Sequence, residues 1–381
     1  MNMKMFNKVE MQNRDDMGTS AICGSRYLYF GTPTIAFIFK WFFASLLYTK
    51  FVNSTESEQI FFISRSASKR QDLSEMQILF LASFKSKFSS FGIATSTLKI
   101  NFRLPLDFIM WSYFYARYPD HFCIKPFGWR NKITSFFGGL HFYSSLHRLK
   151  RKSKDIYVFC DSVGLDAAIA NLHKLAGSSV TCIQHGQYRF EPNVINSDMI
   201  PFLNACGTKI MVWGQATKLE YLRANIPAYD IEIAGKFSTF PKSTLSRNLL
   251  SHLCVVLNGP DTAYVNSGLL QLAQEFSLKS GVRISVKKHP ADKNDYKELQ
   301  FSVSDESVSL FLCHSSGFII ESLVMKRRFA ILRNNFSPAI FSSFSCQVSN
   351  TNDLVDIFRN STNDYWEQMH RYQRAEFIIN V

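Results

Sequence analysis

No stretch of this chain is both long and apolar enough to cross a bilayer as a helix. The most apolar run, residues 34–48, has Lys40 in its middle and falls short of the ~20 residues a span requires. A basic start followed by an apolar segment is also missing, so no signal peptide is expected. The short signatures Gly-x-Gly-x-x-Gly, Gly-x-x-x-x-Gly-Lys-Ser/Thr, Gly-x-Ser-x-Gly and His-Glu-x-x-His do not occur. Nor do spaced His and Cys or an Asp-x-Asp cluster suggest a metal, so metal-independent chemistry without a cofactor is expected. The 8 cysteines contain no Cys-x-x-Cys pair. Cys160, Cys182, Cys254 and Cys313 lie in apolar runs, where a free thiol behaves as a small hydrophobe. That usage belongs to a reducing compartment rather than a disulfide framework.

Acidic residues are scarce in the first part of the chain. Residues 1–154 hold 22 Lys and Arg against 9 Asp and Glu, while residues 155–381 balance at 21 against 21, so the net charge of +13 lies in the first part. A one-sided excess favours an anionic partner such as phospholipid headgroups, a phosphorylated lipid or an acidic glycan. A solvated basic surface is the plainer account. Nucleic acid is not expected, because no zinc-knuckle spacing, RNP-like aromatic motif or basic recognition helix accompanies the charge.

What is present suits a packed protein of two domains: 381 residues, 46 % hydrophobic, with 36 Phe. Residues 1–26 read as a weakly ordered leader. The 34–48 run reads as a core helix, with an interfacial membrane-contact helix as the alternative. Residues 59–64 read as a strand, 75–84 as a helix, 98–102 as a strand and 105–150 as helices with loops; 148–154 is a solvated cationic run. Strands are expected at 155–160, 180–184, 209–213 and 231–234, with helices at 165–176 and 215–224. A second series follows: strand 252–257, helix 264–279, strands 282–288 and 308–313, helix 317–325, strand 328–332, then helices at 353–358 and 365–377. Strands alternating with helices argue a parallel sheet with crossover helices. Ligands of such sheets sit beyond the carboxyl ends of the strands. The domains expected are 27–240 for the acceptor, 241–365 for a nucleotide donor, and a terminal helix over 366–381.

Several strand ends carry polar residues suited to chemistry. In the second half, Val286-Lys287-Lys288-His289-Pro290 ends a basic strand in an imidazole, placed to donate a hydrogen bond to a leaving phosphate. Ser315-Ser316-Gly317 opens a helix, where unpaired N–H groups and the helix dipole attract anions. The plain alternative is N-capping by serine. Glu321 would face a ribose diol, or simply complement the dipole. In the first half, His185 in Gln184-His185-Gly186 is a candidate general base. Asp161 is the second candidate, unless it caps the helix after it.

These residues, with Val212-Trp213-Gly214 and Ile233-Ala234-Gly235, resemble the two-Rossmann-domain (GT-B) glycosyltransferases that build bacterial surface polysaccharides. The likeness is greatest to capsule and polysialyltransferase-like enzymes and to CDP-glycerol glycerophosphotransferases, and it spans residues 155–335. The resemblance implies an α/β fold of two Rossmann-like domains facing across a cleft. It implies inverting transfer from a nucleotide-sugar donor to a glycan or lipid-linked acceptor, at the cytoplasmic face of the cell membrane. Lys288, His289, Ser315, Ser316, Gly317, Glu321 and Gly235 would bind the donor, and His185 or Asp161 would be the base. A CDP-polyol phosphotransferase and a non-catalytic GT-B binding subunit are the alternatives.

Overall fold

The computed structural model describes, with short gaps, residues 33–53, 59–62, 75–82, 91–117, 128–149, 155–186, 200–235, 252–259, 263–289, 308–337 and 341–360, together with 17, 20 and 21. The expected helix at 365–377 and the cationic residues 150–154 lie outside the described residues. The chain divides into two compact units. One comprises residues 1–212 and 221–233. The other takes in 213–220 and 234–380, so the change of unit falls at Ile233/Ala234.

The first unit begins with α1 (Ile35–Ser45), capped by the Thr34 hydroxyl, which accepts the Phe37 N–H at 3.2 Å. Then come β1 (Leu47–Asn53), β2 (Gln59–Phe62) and β3 (Phe91–Ile100), followed by α2 (Leu104–Arg117) and α3 (Trp129–Leu146). The regular α/β part follows: β4 (Asp155–Val158), α4 (Gly164–Leu175), β5 (Ser179–Ile183), α5 (Ile200–Leu203), β6 (Lys209–Val212), α6 (Gln215–Ala224, of which 215–220 count with the other unit) and β7 (Asp230–Ile233). The sheet order is β1-β3-β2-β4-β5-β6-β7, with only β1–β3 antiparallel. Helix α4 stops where the sequence places Gly177, whose φ of +81° admits the left-handed turn. There Ser178 N–H reaches back to the His173 carbonyl.

Two expectations are corrected here. The 34–48 run is not a core helix: Ile35, Phe39, Phe42 and Phe43 of α1 are exposed, and its last residues belong to β1. Arg148 is not solvated either. It donates to Asp107 at 3.3 Å and to Asn101 Oδ1 at 2.7 Å, and its guanidinium lies 4.0 Å from the Tyr48 ring centroid. Asn101 Nδ2 in turn donates to Asp107 and to Ser144, so one polar knot ties β1, α2 and α3 together. Of residues 1–26, the described Met17, Ser20 and Ala21 are helical and buried, and Ser20 Oγ accepts from Asn171 of α4 at 3.1 Å.

The second unit holds β8 (His252–Val256), α7 (Ala263–Ser280), β9 (Arg283–Lys287), β10 (Leu310–Cys313), α8 (Phe318–Val324), β11 (Phe329–Leu332), β12 (Gln347–Val348) and α9 (Thr351–Asn360). All its strands are parallel, in the order β12-β11-β10-β8-β9. β8, β10 and β11 are buried throughout, as strands covered on both faces must be. Alternation sends Leu253, Val255 and Leu257 to one core and Cys254 and Val256 to the other. Helix α9 is set by Asn350, whose Oδ1 accepts the N–H of Asn352 and Asp353, while Asp353 accepts from Ser349 N–H.

Reduced to their parallel strands, the two sheets share one winding. Each starts at an inner strand (β2 or β8), adds its successor on one side, then crosses to build outward on the other. Two Rossmann-like units result, the α/β class expected from the sequence.

Candidate functional site

In a doubly wound sheet the crevice opens where the winding reverses, beyond the carboxyl ends of the two strands that part there. In the second unit those strands are β8 and β10, and the residues that follow them are Asn258-Gly259 and His314-Ser315-Ser316-Gly317.

Asn258 is the centre of this corner. It is 4 % exposed. Its backbone N–H donates to Asn266 Oδ1 at 2.9 Å and its carbonyl accepts from Asn266 Nδ2 at 3.2 Å, so α7 clamps the strand end. Its side-chain oxygen accepts both the N–H and the hydroxyl of Ser315, at 3.3 and 3.2 Å. A backbone N–H can only donate, which fixes the amide orientation and turns Nδ2 away from Ser315. That Nδ2 is buried without a hydrogen-bond acceptor. Such an arrangement costs about 1–3 kcal/mol, and a phosphate oxygen would relieve it.

Of the other expected donor residues, Ser315 and His289 are the ones with a measured contact at this corner. The His289 ring lies beside Gly259, 3.8 Å from the point a Cβ would occupy there. Ser316 Oγ accepts the Phe318 N–H at 3.2 Å, so it caps α8 and keeps its own proton to donate. Gly317 is close to the Trp213 ring: a Cβ would stand 3.4 Å from it. Glu321 lies in the first turn of α8, half-buried. Gly235 has φ +81° at the first bend after β7, a conformation that itself calls for glycine. Lys288 follows β9 and is half-buried. Lys287, just before it, holds its ammonium 4.5 Å from the Phe318 ring centroid and so adds positive charge at the start of α8.

Sequence reading did not single out Asn258, and Lys287 entered it only as part of the basic strand before His289. The signal for Asn258 was present, since Asn-Gly-Pro directly after an apolar strand is more than a turn when a second strand end converges on it. Two neighbours are buried. His314 is fully buried, with Nε2 3.1 Å from Asn334 Oδ1. Burial pushes the Cys313 thiol well above its ordinary pKa, so it is an inert hydrophobe.

In the first unit the two base candidates follow adjacent strands and differ sharply. His185 Nδ1 is 2.9 Å from the Phe159 carbonyl oxygen, which can only accept. The neutral ring therefore carries its proton on Nδ1 and its lone pair on Nε2, and it is half-buried. Asp161 is buried, and its Oδ2 accepts from Gly207 N–H at 2.7 Å and Tyr229 O–H at 2.5 Å. Burial raises its pKa above the ordinary carboxylate value, against those two hydrogen bonds. A Cβ on residue 207 would sit 2.8 Å from that oxygen, so glycine is required for the clamp. Asp161 thus spends its hydrogen-bonding on joining β4 to the loop before β6. Among the described residues no group of three or more His, Cys, Asp or Glu is arranged to hold a metal.

No family model matches the chain, and no curated protein matches it. Among solved structures it is similar to the UDP-N-acetylglucosamine 2-epimerase of Rickettsia bellii, at 12 % identity over 83 % of this chain and 96 % of that one, with a TM-score of 0.46. The glycosyltransferase SnogD of Streptomyces nogalater gives 10 % identity, 84 % and 95 % coverage and a TM-score of 0.44. TarM of S. aureus gives 12 % identity and a TM-score of 0.43. That match takes in 64 % of this chain, which spans 56 % of the length of TarM. Likenesses of this degree say nothing about substrate. The fold class rests on strand order and register.

Proposed function

We propose that the chain is a glycosyltransferase that moves a sugar from a nucleotide-activated donor to a surface-polysaccharide or lipid-linked acceptor, with inversion and without a metal. One observation carries the reading. Asn258 Nδ2 is a buried donor in need of an acceptor, at the winding reversal of a Rossmann-like sheet, among Ser315, Ser316 and His289. In this reading Asn258, Ser316 and Lys288 bind the donor phosphates, Ser315 and Gly317 shape the corner, and Glu321 accepts from the ribose. Gly235 lets the chain turn beside the donor. His289 donates to the phosphate oxygen as charge builds on it, with Lys287 and Lys288 adding positive potential. His185 Nε2 takes the proton from the acceptor hydroxyl. The acceptor oxygen then forms its bond to the anomeric carbon from the face opposite the departing phosphate. The carbon–oxygen bond to phosphate breaks, and its electron pair leaves on the nucleoside diphosphate.

The basic first part of the chain would keep the protein at the cytoplasmic face of an anionic membrane, near a lipid-linked acceptor. Screening activated donors by thermal shift, followed by turnover measurements, tests the proposal. Stabilisation by a nucleotide sugar and a loss of about 10²–10³ in rate for His289→Ala support it. Stabilisation by CDP-glycerol or CDP-ribitol alone would move the assignment to polyol-phosphate transfer. Absence of any nucleotide binding would leave a binding subunit.

A further inference from the structure

Helices α1, α2 and α3 form a layer with an unusual outer side. Ordinary surface helices turn polar residues to water. Here the outward positions of α1 are Ile35, Phe39, Phe42 and Phe43, with Phe39 57 % and Phe43 59 % exposed. On α2 they are Leu106, Ile109 and Tyr113, with Ile109 65 % exposed, and on α3 Trp129 and Ile133, with Trp129 61 % exposed. The spacings are i, i+4, i+7, i+8 on α1, i, i+3, i+7 on α2 and i, i+4 on α3, so each set lies on one side of its helix.

The stripes are continuous. Phe43 meets Phe42 at 5.4 Å between ring centroids, Phe42 meets Phe137 of α3 at 5.1 Å, and Phe137 meets Phe136 at 5.6 Å. Phe136 meets Phe108 of α2 at 5.5 Å, and Phe108 is itself exposed. An aromatic row therefore crosses all three helices at the surface. Exposed apolar surface this continuous marks an interaction face.

Charge selects the partner. Lys40, Arg103, Arg117 and Lys132 are exposed on or beside these helices, and Arg130 lies 5.4 Å from the Trp129 ring centroid. The one acidic residue in the three helices is Asp107, which is buried against Arg148. Aromatic and aliphatic side chains ringed by Lys and Arg with no exposed acid are the composition of a helix layer lying in an anionic membrane interface. No helix among the described residues is long and apolar enough to cross the membrane, so the contact is of a face and not a span.

We infer that the α1–α3–α2 face is a monotopic membrane surface, inserting its aromatic row among the acyl chains of an anionic bilayer while its cations hold the headgroups. This goes beyond charge attraction and does not rest on the transfer reading. The test is sedimentation of the full chain with vesicles of phosphatidylethanolamine and phosphatidylglycerol, or of phosphatidylcholine alone. Binding is expected to the anionic vesicles, weakened but not abolished by salt. Phe39→Ser with Phe43→Ser should lower the partition coefficient about tenfold or more, and Ile109→Ser on another helix should lower it severalfold. Since these side chains are exposed, thermal unfolding should stay unchanged. Lys40→Gln with Lys132→Gln should weaken binding to anionic vesicles only. Unchanged sedimentation of both apolar variants would overturn the inference, as would failure of the wild type to bind any vesicle. So would a dimer in solution that Phe39→Ser with Phe43→Ser dissociates, because the face would then belong to a second copy.

Discussion

Truncating Asn258 to alanine separates ligand binding from stability in a way few substitutions do. Without ligand two terms oppose each other. Losing Oδ1 strands the Ser315 N–H, at a cost of about 1–3 kcal/mol. Losing Nδ2 removes a buried donor that has no acceptor, which returns a comparable amount. The net change should stay within about 1 kcal/mol, a shift of roughly 2–4 °C for a unit of this size. With nucleotide bound, the variant lacks a hydrogen bond to a charged phosphate, worth about 1.5–3 kcal/mol, so affinity should fall about 10- to 150-fold. Asn258→Asp should be harsher, because a carboxylate oxygen would replace the donor beside the phosphate. Thermal unfolding without ligand and calorimetric titration with UDP, CDP and GDP make the comparison. An alanine variant that binds as tightly as wild type would refute the reasoning. One that loses several kcal/mol without ligand would show that Asn258 serves only to hold β8 to β10.

Asp161→Asn should keep an acceptor for Gly207 and Tyr229 and fold nearly normally, whereas Asp161→Ala should lose about 2–4 kcal/mol by stranding two buried donors; equal stabilities in chemical denaturation would contradict the clamp. Gly139→Ala would put a Cβ 2.1 Å from Trp111 Cζ2 and should destabilise by about 1–3 kcal/mol, read from the melting temperature. His141 is held neutral chiefly by burial, which lowers its pKa, although its N–H to the Ala44 and Leu47 carbonyls pulls the other way. Below its ordinary value of 6.5 the unfolded chain binds a proton that the fold refuses, so stability should drop as pH falls, by up to about 1.4 kcal/mol per unit. Denaturation measured between pH 7 and 5 (roughly the window set by that shift) should lose this slope in His141→Gln.

Much of the second unit was readable because β8, β10 and β11 are buried on both faces and stand out as apolar runs, Phe329–Leu332 among them. Their ends fell within a residue or two of expectation, while the two-residue β12 was not expected. The front of the first unit was much less readable. β1 pairs with β3 across an antiparallel edge, where Thr49 and Lys50 interrupt any apolar pattern, so Leu47 and Tyr48 read as the tail of a helix and the rest as no element. Helix α1 is apolar nearly all round, and such a helix does not announce which side it buries. Arg148 looked solvated because its partner Asp107 lies 41 residues earlier. In the site, His289, Ser315 and Ser316 were legible as polar residues closing strands. What spacing could not convey is that Ser315 commits its hydroxyl to Asn258, and that the buried donor left without an acceptor is the Nδ2 of a residue that reads as a turn. Between His185 and Asp161 the sequence left the choice of base open. The hydrogen bonds on Asp161 weigh towards His185.

The central claim is that the corner after β8 and β10 holds the phosphates of an activated donor. A crystal structure of the protein soaked with a nucleoside diphosphate tests it most directly. The account predicts phosphate oxygens within hydrogen-bonding distance of Asn258 Nδ2, with Ser316 and His289 around them and the ribose towards Glu321. Nucleotide bound elsewhere, with Asn258 Nδ2 still lacking an acceptor, would contradict it.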